Sequence, residues 1–277
     1  MFETLKNVFR VKEMRRKLLY LIWMIFIIRI GCQIPVPGVD SDFFKQWFSS
    51  NAGDAFNFFD AFTGGSFERM SIFALNITPY ITSSIIIQLL TIAIPALEEM
   101  QRDGEEGRKK MTAITRYVTV GLALFESIAM AIGFGRQGMI PNLDFFKGVV
   151  VVACLTAGSA MLMWLGERIT EKGVGNGISI VLTINIISRV PSDLTLLYEN
   201  FIKGKTIAKG TLAGLIIAAV ILLVVVLVLI LNGAERRIPV QYSKKMVGRK
   251  LMGGQSTNIP LKVNTAGVIP VIFASSI

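Results

Sequence analysis

The chain has 277 residues, 29 Lys and Arg against 19 Asp and Glu, and a mean hydropathy of +0.59. Only 17% of the residues are charged, against about 25% in an ordinary soluble domain, which is too few to cover a globular surface of this size. The chain has no histidine, which excludes imidazole bases and histidine-based metal sites, and Cys32 and Cys154 lie far apart in apolar sequence. We therefore expect a membrane protein that is not an enzyme and uses no cofactor.

Six stretches of the sequence are apolar enough to form membrane-spanning helices, because a helix needs about 20 apolar residues to cross the hydrocarbon core. They are residues 18–34, 70–97, 117–135, 148–166, 173–197 and 210–234. In the second span, Pro79 is expected to remove one backbone hydrogen bond and to kink the helix. A seventh span begins near Asn264 and reaches the last residue after about 14 residues, so we expect the sequence to end inside a helix.

The first span has the basic start of a signal peptide, since Lys12, Arg15, Arg16 and Lys17 precede it. The sequence CQIPVPGVD that follows has no cleavage site of small residues, so we interpret this span as a retained helix. The connections on one side of the six spans carry 20 Lys and Arg, and those on the other side carry 8. This bias places the N-terminus in the cytoplasm.

The stretch NAGDAFNFFDAFTGGSFERM between the first two spans has an amphipathic pattern. Phe56, Phe59 and Phe62 recur every three residues and share a helical face, from which Asp60 is expected to point away. The glycine pair that follows is expected to end this helix. Two interpretations remain open: an interfacial helix on the outer leaflet, which the pattern favours, and a short helix folded back into the protein.

A short string in the second span, PYITSS, shares the pattern P-x-I-x-x-S with PVIFAS in the seventh. Six residues are a weak match, but two repeated halves of a membrane protein would leave this trace, and such halves commonly enclose a central pathway. Ile77 and Ile81 lie one helical turn apart beside the first string, and Ile178 and Leu182 repeat this spacing in the fifth span. Core packing is the simplest interpretation of such pairs.

Two further segments carry information. The sequence GVGNG before the fifth span is not a nucleotide-binding loop, because no strand precedes it and an apolar span follows.

After the sixth span, residues 235–263 contain 7 Lys and Arg against a single acidic residue, Glu235. This loop obeys the positive-inside rule, and its length also suits a basic surface that binds an acidic protein or ribosomal RNA phosphates.

Together these segments resemble the SecY family, the channel subunits of the bacterial protein-conducting translocon. The resemblance rests on SIFALNITPYITSSIIIQLL, GERITEKGVGNGIS, RRIPVQYSKKMVGRK with QST and PLKVN, and AGVIPVIFASSI. It implies an all-α integral membrane fold with two pseudo-symmetric halves around an hourglass pore. Residues 1–200 would form the first half, with five spans and a re-entrant plug helix at about 54–69. Residues 201–277 would begin the second half, with the sixth span, the basic loop and the start of the seventh.

The resemblance also implies roles for individual residues. An apolar ring that closes the pore would consist of Ile77, Ile81, Ile178, Leu182 and Ile272, although many relatives have Ile where this chain has Leu182. The plug would include Phe56, Phe59, Phe62, Gly64 and Gly65. A lateral gate toward lipid would include Thr82 and Asn264. The loop that docks a motor or a ribosome would use Arg236, Arg237, Lys244, Lys245, Arg249 and Lys250.

A family member would move unfolded secretory polypeptides across the bacterial plasma membrane and release transmembrane segments sideways into it. The partners implied are SecE-like and SecG-like subunits, the SecA motor ATPase, the ribosome, secretory polypeptides with their signal sequences, and membrane lipids. Two alternatives stay open. One is a secondary transporter with a broken second helix, in which Arg29 or Glu126 carries a coupling charge. The other is a truncated fragment that conducts nothing.

Overall fold

A computed structural model of the chain describes residues 11–51, 60–138, 140, 144–203, 207–240, 245–247, 250–252, 257–265 and 267. The helices in this part are α1 (Lys12–Gly31), α2 (Ser41–Asn51), α3 (Thr78–Ala93), α4 (Pro95–Arg102), α5 (Gly104–Arg136), α6 (Phe145–Lys172), α7 (Gly177–Phe201) and α8 (Ile207–Gly233). The strands are β1 (Glu235–Val240), β2 (Lys245–Val247), β3 (Lys250–Met252) and β4 (Thr257–Lys262).

The chain divides into two compact units, Met1–Pro191 and Ser192–Ile277. The boundary lies inside α7, at Pro191. This boundary separates two compact units of the chain. The family resemblance implies a different division, after residue 200, between the two halves of the family fold, and that division stays a prediction.

Among the described residues, four helices are long and apolar enough to cross a membrane: α5, α6, α7 and the part of α8 from Lys209 to Gly233. The pair α3 and α4 counts as a fifth span if the two are taken together, although they are bent by 104° at their junction. The protein is therefore a mostly helical, multi-pass membrane protein. The first predicted span, residues 18–34, corresponds to α1, which begins with the charged stretch from Lys12 to Lys17 and contains Arg29. Its crossing of the membrane stays a prediction.

The second span differs from the prediction at both ends. Its helix begins at Thr78 rather than near residue 70, and Pro79 lies in the first turn, where a backbone N–H has no helical partner in any case. The predicted loss of a hydrogen bond at Pro79 is therefore wrong. The break comes at the other end, where Ile94 is extended and Pro95 begins α4, because the residue before a proline is disfavoured in the helical conformation.

Residues 60–77, which we call the return segment, connect the first two spans and pack directly on α6. A Cβ atom built at Gly158 of α6 would lie 2.0 Å from the carbonyl oxygen of Ile72, so the contact requires glycine. In the first unit, α5 also packs against α3 and α6, and α1 packs against α6. These contacts surround the return segment with helices and keep its irregular backbone away from lipid.

We expect Gly158→Ala to destabilise the protein by about 1–3 kcal/mol, because the added methyl group meets backbone atoms that cannot rotate away. The measurement is the midpoint of thermal unfolding of the purified protein in detergent. Gly148→Ala on the same helix is the matched control, since nothing lies within 4 Å of its Cβ position. Equal midpoints for the two variants would contradict the close contact.

The second unit contains α8 and two antiparallel ribbons, β1 with β4 and β2 with β3. The all-α prediction is thus wrong for the basic loop, whose short segments pair as strands. Arg236 stands opposite Leu261 and Arg237 opposite Pro260, so the two arginines occupy opposite faces of the longer ribbon. Pro239 and Pro260 lack the backbone N–H that would extend the sheet.

Candidate functional site

A central apolar cluster gathers the isoleucine and leucine residues that the sequence singles out. Ile77 belongs to its buried core, and Ile81, Ile178 and Leu182 pack against that core. The structure thus brings together four of the five residues proposed for the ring, while Ile272 lies outside the described residues. The other buried members are Met24, Ile28, Cys32, Phe73, Leu162, Leu165, Ile169 and Val181.

Two glycines explain how residues from α3 and α7 meet in this cluster. A Cβ atom built at Gly177, the first residue of α7, would lie 2.0 Å from the carbonyl oxygen of Gly166 on α6. The start of α7 therefore rests on the backbone of α6. A Cβ atom built at Gly166 would lie 3.4 Å from Cγ1 of Ile178 and 3.5 Å from Cδ1 of Ile77, so these two side chains converge above that glycine.

The four residues differ in their exposure. Ile77 is fully buried, whereas Ile81, Ile178 and Leu182 are each partly exposed. In this unit Ile77 supports the cluster from within, and the other three present an apolar surface at its edge. Such branched apolar surfaces can exclude water from a narrow passage without favouring any particular solute.

The return segment lies beside this cluster. Its first helical turn ends at Thr63, and Gly64 and Gly65 follow with φ of +68° and +80°, as the glycine pair predicts. Met70 and Asn76 also adopt positive φ, at 44° and 52°. Irregular backbone of this kind is tolerated at membrane depth only where protein surrounds it.

The interfacial interpretation of this stretch is wrong for the residues that the structure describes. Asp60, Thr63, Ser66 and Phe67 are buried, so the segment is folded back into the protein, the alternative that the pattern favoured less. Asp60 does not point into solvent, because it forms an ion pair with Arg189 of α7. Phe56 and Phe59 lie outside the described residues, and Phe62 is partly exposed.

A polar network that the sequence analysis missed joins the return segment to α1 and α7. Arg29 Nη1 donates to Asn185 Oδ1 at 3.3 Å, and Asn185 Nδ2 donates to Asn76 Oδ1 at 3.0 Å. Asn76 Nδ2 in turn donates to the carbonyl oxygen of Phe62 at 2.9 Å. The signal was available, since Asn185 and Arg189 are polar residues spaced one turn apart in an apolar span.

Phe67 anchors the other side of the return segment. Its ring packs against Phe44 of α2 and Phe134 of α5, with centroid distances of 5.9 Å and 6.1 Å. Phe44 and Phe134 also contact each other, edge to face, at 5.1 Å. This aromatic cluster fixes the middle of the segment at the end of the first unit opposite α4 and the charged start of α5.

The remaining predicted residues have less defined surroundings. Thr82 is partly exposed on α3, and Asn264 Oδ1 accepts the backbone N–H of Gly267 at 3.1 Å. Arg236 and Arg237 are exposed on β1, Lys245 begins β2 and Lys250 begins β3. Lys244 and Arg249 lie outside the described residues. Within the described part of the chain, no group of Cys, Asp and Glu residues is arranged to hold a metal ion.

Comparisons with known proteins agree with this architecture. The protein translocase subunit SecY of Halalkalibacterium halodurans is 45% identical over 285 residues, which cover 100% of this chain and 65% of that protein. The chain also spans 65% of the SecY protein of Streptomyces galbus, with 43% identity over 292 residues that cover 100% of this chain. The chain thus covers slightly less than two thirds of the length of these curated relatives.

Two solved structures share the fold. One, described as showing that the plug domain of the SecY protein stabilises the closed state of the translocation channel, has a TM-score of 0.57 and 20% identity. The other is Sec61 in the canine ribosome-channel complex, with a TM-score of 0.59 and 19% identity. Each match covers 95% of this chain and 56% of the solved chain. Because the SecY family profile matches residues 71–277, and the relatives align along the whole chain, the chain belongs to the SecY family.

Proposed function

We propose that this chain forms the N-terminal part of a protein-conducting channel, in which the partly exposed edge of the central apolar cluster lines the constriction. The observation that carries the proposal is the convergence of Ile77 and Ile81, at the start of α3, with Ile178 and Leu182 of α7. Ile272 of the seventh span would complete this side of the ring. A dry constriction of branched apolar side chains excludes ions. It can widen around a passing polypeptide without selecting for a particular sequence.

Residues 60–69 of the return segment belong to the proposed plug, at about residues 54–69. The segment's buried position between α1, α6 and α7 supports a seal on the side of the membrane opposite the N-terminus. Thr82 and Asn264 are proposed to flank the exit toward lipid. The plug domain named for one of the structural relatives is consistent with this assignment.

The channel works in the bacterial plasma membrane with its N-terminus in the cytoplasm, as the distribution of Lys and Arg indicates. Its proposed partners are SecE-like and SecG-like subunits, the SecA motor, the ribosome, signal-bearing secretory chains and lipids. The ribosome complex of the Sec61 relative supports the docking role of the basic loop. Arg236 and Arg237 are exposed on opposite faces of the ribbon, from which each would contact a partner. The proposed docking residues are Arg236, Arg237, Lys244, Lys245, Arg249 and Lys250.

The transporter alternative loses one of its two coupling charges. Arg29 donates to Asn185 and is therefore part of the network that holds the return segment. Glu126 alone remains, which is little for a proton or ion relay across a membrane. The position of the apolar cluster favours gating of a passage over coupled transport.

Site-specific cross-linking tests the channel path. Cysteines are placed at Ile81, Ile178 and Val225 in a protein whose Cys32 and Cys154 are replaced by alanine, with the remaining third of the family's length present. Val225 on α8 is 51% exposed and lies in an apolar span, so it serves as the lipid-facing control. A stalled secretory chain is expected to cross-link to positions 81 and 178 and not to position 225. Equal cross-linking at all three positions, or none, would reject the proposed path.

A further inference from the structure

The ion pair between Asp60 and Arg189 joins the return segment to α7. Asp60 is completely buried, and the Arg189 side chain is only 20% exposed. The two carboxylate oxygens have different partners. Oδ1 accepts the backbone N–H of Glu68 at 2.9 Å and the hydroxyl of Thr63 at 3.2 Å, whereas Oδ2 faces Arg189. Asp60 therefore orders its own turn with one oxygen and attaches that turn to α7 with the other.

A second attachment lies one helical turn earlier on α7. Asn185 donates to Asn76 at 3.0 Å, and Asn76 donates to the carbonyl oxygen of Phe62 at 2.9 Å. Gly64 packs on the backbone at the same place, since a Cβ atom there would lie 2.6 Å from the carbonyl oxygen of Asn185. Residues 185 and 189 are four positions apart, so one face of α7 holds both ends of the turn.

The two attachments differ in how they respond to separation. The asparagine contacts are neutral, and such interhelical hydrogen bonds in membranes are individually weak. A buried ion pair behaves differently, because separating it leaves two charges that must each find water or another partner. The pair therefore favours one position of the turn strongly over partly displaced positions.

We propose that the Asp60–Arg189 pair is a latch that holds residues 60–66 against α7, and that the channel opens on this side only when the pair separates. The proposal rests on the proposed channel function, because only in a channel does movement of this turn expose a passage. Phe67 stays in the aromatic cluster with Phe44 and Phe134, so the turn swings about a fixed point.

The substitution Ser66→Cys reports the position of the turn. Ser66 is 1% exposed and close to cysteine in size, so a membrane-impermeant maleimide can reach it only when the turn moves away. The protein is assembled in vesicles with the remaining helices of the family and without Cys32 and Cys154, and the labelling rate is measured without any secretory chain. Asp60→Asn and Arg189→Gln are each expected to raise the rate at least about tenfold, because each removes one charge of the pair and leaves the other charge uncompensated by it.

The double variant Asp60→Asn with Arg189→Gln separates a latch from two independent structural roles. Since it removes both charges at once, it is expected to label more slowly than either single variant. Glu171→Gln is the matched control, because it removes the carboxylate of an exposed ion pair with Arg168 on α6 and should leave the rate unchanged.

Labelling of the single variants at the parental rate would overturn the latch. The latch would also be overturned if the rate increases of the two single variants multiplied in the double variant, as independent effects do. Because this assay contains no secretory chain, its result is independent of the cross-linking experiment. If cross-linking failed but the single variants labelled faster, the channel path would be rejected. The ion pair would then be a contact that holds the return segment in place. The reverse combination would keep the channel and reject the latch.

Discussion

Asn185→Leu is expected to lower the midpoint of thermal unfolding of the purified protein in detergent by about 5–10 °C. Asn185 is 1% exposed and contacts both Arg29 and Asn76. Leucine has a similar volume but neither donates nor accepts hydrogen bonds. The variant therefore removes the partner of the part-buried Arg29 guanidinium group and of the Asn76 side-chain oxygen.

The size of this effect follows from the two contacts that are lost. An interhelical hydrogen bond between neutral groups in a membrane protein contributes about 0.6 kcal/mol on average and up to about 1.7 kcal/mol. A hydrogen bond to a charged group contributes about 1.5–3 kcal/mol. We therefore expect a loss of about 2–4 kcal/mol, most of it from the contact with Arg29.

Thr183→Leu is the matched control for this prediction. Thr183 lies on the same helix, is exposed, and its hydroxyl donates to the carbonyl oxygen of Ser179 in its own helix. Adding the same leucine there should leave the unfolding midpoint nearly unchanged. A similar decrease in both variants would show that the leucine itself, and not the lost network, destabilises the protein.

Ile81→Asn is expected to raise the resting ion leak of proteoliposomes on the order of tenfold, with the remaining helices of the family present. Ile81 lies at the partly exposed edge of the central apolar cluster. An asparagine amide there offers hydrogen bonds to water, which makes a dry constriction easier to wet. A tenfold rise corresponds to about 1.4 kcal/mol less free energy for wetting.

Ile86→Asn provides the comparison, because Ile86 is on the same helix and is similarly part-buried but does not belong to the central apolar cluster. Its ion leak should match that of the parent protein. The measurement is the ionic current, or the decay of an imposed ion gradient, in sealed vesicles. An unchanged leak in Ile81→Asn, or an equal leak in both variants, would remove Ile81 from the ring.

Hydropathy alone located the long apolar helices of this protein, because long apolar stretches can be hidden from water only as membrane helices or a packed interior. The predicted spans at 117–135 and 148–166 lie inside α5 and α6, and the span at 210–234 lies inside α8 except for its last residue. Their ends were less predictable. The helices α5 and α6 continue into charged sequence at Arg116 and Glu167, where an ion pair at 2.9 Å joins them beyond the apolar core.

The second span shows where local rules gave the wrong result. Hydropathy does not separate residues 70–77, which are uncharged and mostly apolar, from the helix that follows. The structure folds them into turns, because Asn76 at positive φ and the hydrogen bonds of its side chain compete with helix formation. The proline that predicted a kink lies at the first turn of α3, where it causes none.

The sequence by itself determined that this is a multi-pass helical membrane protein of the SecY family and named the apolar residues of its candidate ring, since hydropathy and local motifs depend on neighbours along the chain. Only the tertiary structure decided that Asp60 is buried rather than exposed, and that Arg29, Asn76, Asn185 and Arg189 act together. The reason is that these residues lie up to 156 positions apart, as Arg29 and Asn185 do. A polar side chain in an apolar span indicates that a partner is needed, but the packing of the helices determines which partner it meets.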